Sequence, residues 1–209
     1  MKLEDPFMNK LLFRNYNQIG VVLLVIVIVI AHIVAYKSVP SLYDWRRNTI
    51  SDLAAQQYAY GWIMRLGFIA FGSILAAGII NKFFHRLAIW YVDLPILLYA
   101  ASVLLAGVFS IKPFFPVEAY SQTHDSLHSF FATLSGISIS IGIFCHPLPF
   151  SGKTRKSIIL DFALFAAVIM LSALFGFAES SFPDYVGVIQ RLMWLVGLTW
   201  LALFYDSGQ

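Results

Sequence analysis

His124 and His128 stand four residues apart in the run His124-Asp125-Ser126-Leu127-His128. At that spacing two imidazoles share one helix face, which suits joint coordination of Zn²⁺ with a third protein ligand and an open water position. His32 or Asp52 is the candidate third ligand, and a metal there would activate water for hydrolysis. The alternative leaves His124 in a loop and has His128 capping or hydrogen-bonding a neighbouring helix. A second cluster, Asn48-Thr49-Ile50-Ser51-Asp52-Leu53, offers Ser51 or Asp52 as nucleophile or base, with Asp125 as a further proton-handling carboxylate. Its purely structural reading is that Ser51 N-caps a short interfacial helix running through Asp52-Leu53-Ala54-Ala55.

Arg65 and Arg191 fall inside apolar stretches, where a charge costs about 2.5–3.5 kcal/mol on insertion scales and so needs a partner or a role. A guanidinium presents a planar fork matched to carboxylate or phosphate, so the pair could clamp an anionic headgroup, with Gln190 adding amide contacts and His128 a further hydrogen bond. Asp52, Asp125, Glu179 and Asp184 are the internal partners that would make the arginines helix ties instead. Asp93 and Asp161 also interrupt apolar runs and are candidates for a proton relay, with Lys82, Arg86 and Lys156 the nearest bases in sequence.

The elements that must position these groups are membrane helices. The chain has 209 residues, 59% of them hydrophobic and only 12% charged, with mean hydropathy +0.77. Soluble domains carry about 25% charged residues. A spanning helix needs about 20 mostly apolar residues, and six stretches qualify: 18–36, 58–81, 87–111, 126–146, 157–178 and 186–205. The runs are long and lack strand alternation, so the expected fold is all-α, one domain over 1–209, a bundle of six transmembrane helices rather than a barrel. The N-terminal run is too long for a signal-peptide core and lacks a clear cleavage site, so it reads as a retained first span. A single cysteine, Cys145, excludes an internal disulfide and a cysteine-based zinc centre. No basic run is dense enough for nucleic acid.

Lysines and arginines near the span ends set the orientation. With the N-terminus inside, Lys2, Lys10, Arg14, Lys82, Arg86, Lys153, Arg155 and Lys156 are internal, against Lys37, Arg46, Arg47 and Lys112 outside. The expectation is a multi-pass protein of the cell inner membrane with both termini cytoplasmic. Arg65 then lies about 10 Å and Arg191 about 8 Å from the outer ends of their spans, at the helical rise per residue. His32, His128, Ser51 and Asp52 share that side. Small residues form faces on span 2 (Gly67, Gly72, Gly78) and span 4 (Ser129, Ala132, Gly136, Ser140), read as bundle packing, with a homodimer face as the alternative.

Ile50-Ser51-Asp52-Leu53, Arg65-Leu66-Gly67-Phe68, the segment His124 to His128 and Gly187-Val188-Ile189-Gln190-Arg191 together resemble the six-span prokaryotic membrane family catalogued as domain of unknown function family 998. The resemblance covers most of the chain and implies a six-helix inner-membrane protein without an established activity. A fainter likeness is to the alkaline ceramidase and adiponectin-receptor class, which sets a Ser, an Asp and three His around zinc in seven spans. Ser51, Asp52, His124 and His128 match in type, whereas span number and histidine placement differ. The expected function is an outer-facing polar pocket that binds a lipid headgroup or small anionic ligand. The alternatives are a zinc-dependent hydrolase of a lipid amide or ester, and a small proton-coupled transporter.

Overall fold

The computed structural model describes residues 6–148 and 154–205, the side chains of 6–14 excepted. Lys2 and Lys153, used above to set orientation, lie outside the described residues. Six helices account for most of the chain: α1 Pro6–Ser38, α2 Gly61–Phe84, α3 Trp90–Val108, α4 Gln122–Cys145, α5 Arg155–Ser181 and α6 Val186–Leu203. Each contains a stretch long and apolar enough to cross a bilayer, and no strand occurs among the described residues. In hydrocarbon the backbone must satisfy its own hydrogen bonds, which an apolar run does as a helix.

The helices alternate in direction, so loops 39–60, 109–121 and 182–185 gather at one end, called here the upper end. α2 packs between α1 and α3, α4 runs along α3, and α5 pairs with α6, which returns to α1. The core between them is filled by Leu24, Phe68, Phe71, Leu75, Ile79, Ile96 and Ile143, all fully buried. The glycines of α2 sit where neighbours come closest. A Cβ on Gly72 would strike the Ala100–Leu104 segment of α3, and one on Gly67 would strike Val27 of α1. α4 differs: a Cβ on Gly136 would meet nothing within 4 Å. Its small-residue face is therefore not a packing seam at that point, and it borders open space beside α5 and α6.

Two buried carboxylates tie the lower half. Lys82 Nζ lies 3.0 Å from Asp93 Oδ1, the Tyr205 hydroxyl donates to the same oxygen, and the Ile89 N–H donates to Oδ2 at 2.6 Å. His146 Nδ1 lies 3.0 Å from Asp161 Oδ2, and the Trp200 indole N–H donates to Oδ1 at 3.2 Å. Both carboxylates are thus held by neighbouring helices, and neither lies on the wall of the cavities described below.

Candidate functional site

Arg191 projects from the second turn of α6 into a cage of acceptors. His32 Nδ1 lies 2.8 Å from the Ile28 carbonyl, so that nitrogen carries the proton and Nε2 is left to accept. Arg191 Nε and Nη2 donate to His32 Nε2 at 3.0 and 2.6 Å, and Nη2 also donates to the Tyr43 hydroxyl at 3.0 Å. Nη1 donates to the Asn48 and Gly187 carbonyls, each at 2.7 Å. All five N–H groups of the guanidinium are met inside the protein. Arg191 therefore fastens α1, loop 39–60 and α6 together and has no donor left for an anionic guest. Burial pushes the Tyr43 hydroxyl up to about 12, against the pull of the adjacent guanidinium.

The loop that Arg191 holds is docked by further bonds. The Val188 N–H donates to the Arg46 carbonyl at 3.1 Å, and the Ile50 N–H donates to Gln190 Oε1 at 2.6 Å. Gly187 makes this approach feasible, because a Cβ there would fall under 3.0 Å from the carbonyls of Trp45 and Asn48. Within the loop, Thr49 Oγ1 accepts from Asp52 N–H at 3.1 Å while Asp52 Oδ2 accepts from Thr49 N–H at 2.7 Å. This reciprocal pair opens the 3-10 turn Ser51–Ala54. The cap expected of Ser51 thus falls to Thr49. Ser51 is already the first residue of the turn, and its side chain is buried against the bundle instead. Burial raises the Asp52 carboxyl above its ordinary range, opposed by the Thr49 N–H that it accepts.

The three histidines proposed as zinc ligands do not converge. His124 is exposed in the first turn of α4, edge-on to Phe109. His128, one turn deeper, is rotated under the end of α3, and His32 is engaged by Arg191. Among the described residues no three His, Cys, Asp or Glu side chains gather around a common point. Asp125, the candidate proton-handling carboxylate, accepts from the Lys112 N–H at 2.8 Å and so secures loop 109–121. Arg65 Nη1 donates to the Ser110 hydroxyl at 3.2 Å in the same loop, and its Nε is buried without a partner.

Ser51, Gln190 and His128 do come together. They line one cavity of about 90 Å³ with Phe68, Tyr99, Val103, Ala132, Gly136, Met193 and Trp194. His128 is almost wholly buried, and its Nδ1 lies 2.8 and 2.9 Å from the carbonyls of Ala106 and Phe109. Helix C-termini leave carbonyls without intrahelical partners, and His128 caps those of α3. Two carbonyls on Nδ1 place the proton there, so Nε2 carries a lone pair, and that nitrogen is buried with no partner. No lysine, arginine, aspartate or glutamate lines this cavity.

A second, larger cavity of about 610 Å³ adjoins it and shares Ala132, Gly136, Gln190 and Met193. It runs as a groove between α4, α5 and α6, walled by Ile137, Ile141, Phe144, Phe165, Ile169 and Phe175. Ile137, Ile141, Phe144 and Ile169 are 43–54% exposed, so the groove opens on the face that the bilayer covers. Sequence spacing alone would not find it, since it depends on Gly136 lacking a neighbour.

No curated protein and no solved structure matches the chain. A family model does match, over residues 18–205, with the description Protein of unknown function (DUF998). That match covers nearly the whole helical bundle, including the loop-to-α6 docking and the His128 cavity, and the chain belongs to this family.

Proposed function

We propose that this membrane protein binds a lipid-like molecule from the side, taking its apolar chain into the groove between α4, α5 and α6. The observation that carries this is an open apolar groove of about 610 Å³ that shares Ala132, Gly136, Gln190 and Met193 with a smaller cavity bearing polar groups on its wall. Its size falls within the roughly 300–1,000 Å³ of ligand pockets, which are mostly apolar with a few placed polar groups. The occupant follows from position: the rim is formed by exposed aliphatic and aromatic side chains of membrane helices, and acyl chains are what surround them. This keeps the expectation of a lipid ligand but moves the binding surface from the two arginines to the neutral pocket beside them. We further propose the orientation read from the loop charges, with both termini cytoplasmic in the inner membrane.

Gly136→Trp tests the groove, because the indole would fill space that is open around this residue. Native mass spectrometry of the detergent-purified protein is expected to show co-purified lipid on the wild type and a loss of most of it in Gly136→Trp. Equal lipid occupancy in the two folded proteins would contradict the proposal.

A further inference from the structure

The groups on the inner cavity wall differ in what they offer a guest. His128 Nε2 can only accept, because Nδ1 holds the proton against the Ala106 and Phe109 carbonyls. Gln190 has its oxygen committed to the Ile50 N–H, so its amide NH₂ is the remaining polar group, a donor. Ser51 adds a hydroxyl that donates or accepts, whereas the Ser135 hydroxyl is spent on the Ala132 carbonyl at 2.7 Å. One buried acceptor, one donor and one hydroxyl, with no charge among them, are complementary to an alcohol. A hydroxyl donates its proton to Nε2 and accepts from the amide.

An anionic head fits poorly. It would need a cation or several donors on the wall to offset its desolvation. The nearby guanidinium of Arg191 has its donors occupied, and Arg65 is not on the wall.

We infer that the His128 cavity holds the hydroxyl head of an uncharged long-chain alcohol-type lipid, with Nε2 of His128 as the acceptor that selects it. This rests on the groove reading above, since the chain must lie between α4, α5 and α6 for the head to reach His128.

Hexadecanol, hexadecyl methyl ether and palmitate share one chain length class and separate the possibilities. Native mass spectrometry titrations of the full-length protein in detergent, at a pH where palmitate is ionised, give three apparent affinities. The expected order is hexadecanol first, with the ether about tenfold weaker because one hydrogen bond of about 1.4 kcal/mol is lost. Palmitate is expected to be weaker still. Equal binding of alcohol and ether, or palmitate binding tightest, overturns the inference about the head while leaving the groove standing. Binding of none of the three, with wild type and Gly136→Trp alike, overturns the groove reading and the inference together. His128→Phe is expected to abolish the alcohol-to-ether preference. The wild-type comparison of alcohol with ether decides the matter even if that variant does not fold, because His128 also caps α3.

Discussion

The side chain that looked most like a ligand clamp, Arg191, spends every donor on the protein itself. Lysine cannot reproduce a planar fork of five donors, so Arg191→Lys strands the Tyr43 hydroxyl and two carbonyls. We expect it to lower unfolding stability by about 3 kcal/mol, summing about 1 kcal/mol for each lost bond, without changing bound lipid per folded molecule. Thermal unfolding and lipid mass spectrometry on one preparation check both halves. Asp52 carries a pH dependence. Its folded-state carboxyl is raised by burial, so the folded protein holds its proton more tightly than the unfolded chain does. The stability from that proton is complete below the unfolded carboxyl's titration and is lost as pH rises through the folded one. Asp52→Asn keeps an acceptor for the Thr49 N–H without the charge. Its melting temperature should match wild type in acid and exceed it at neutral pH, and a difference of the opposite sign would count against buried-carboxyl strain. The residue types at these positions were legible in the sequence, but their partners were not. His32 and Arg191, or His146 and Asp161, meet only through tertiary packing, and no local pattern encodes that distance.

At the scale of elements, two loops close the upper end of the bundle. Gln56 staples them: its amide NH₂ donates to the Ser110 and Ser121 carbonyls, each at 3.0 Å, and its oxygen accepts from the Ser121 N–H at 2.8 Å. Tyr43 and Tyr58 both meet Phe114 edge-on across the same junction. Gly187→Ala tests the docking of loop 39–60 on α6, because the added methyl has no room against two backbone carbonyls. We expect a cost of about 1–3 kcal/mol and faster hydrogen exchange in residues 46–52, measured by mass spectrometry. The six spans were legible because each is a local hydropathy signal, and their ends agree to within a few residues except at the start of α1, which begins at Pro6 because the helix runs on through polar residues ahead of the apolar stretch. The two small-residue faces were not distinguishable from sequence. Glycines of α2 and Gly136 of α4 look alike in a helical repeat, and only the placement of α5 shows that one set packs and the other opens a groove.

Across the whole molecule, the halves of the bundle do different work. The lower half is locked by Lys82–Asp93 and His146–Asp161, each joined by an aromatic donor. Breaking one lock by Asp161→Ala leaves His146 and the Trp200 indole without that acceptor, and a loss of about 1–3 kcal/mol in unfolding stability is expected for a buried donor that loses its acceptor. The upper half is tied at its rim and open at its flank, where a groove separates α4 from α5 and α6 above the contact of Phe144 with Phe162 and Phe165. A flank that opens among exposed apolar side chains and ends at neutral polar groups is the basis of the lateral lipid pocket proposed above. Photo-cross-linking tests it most directly, using hexadecanol with a diazirine at its chain end, added to membranes that hold the full-length protein. With the head at His128, the chain end is expected to mark groove-wall residues toward Phe144 and Phe165, and hexadecanol in excess should compete the adducts away. Adducts spread over the lipid-facing surface of α1 as heavily as over the groove, without competition, would contradict the account.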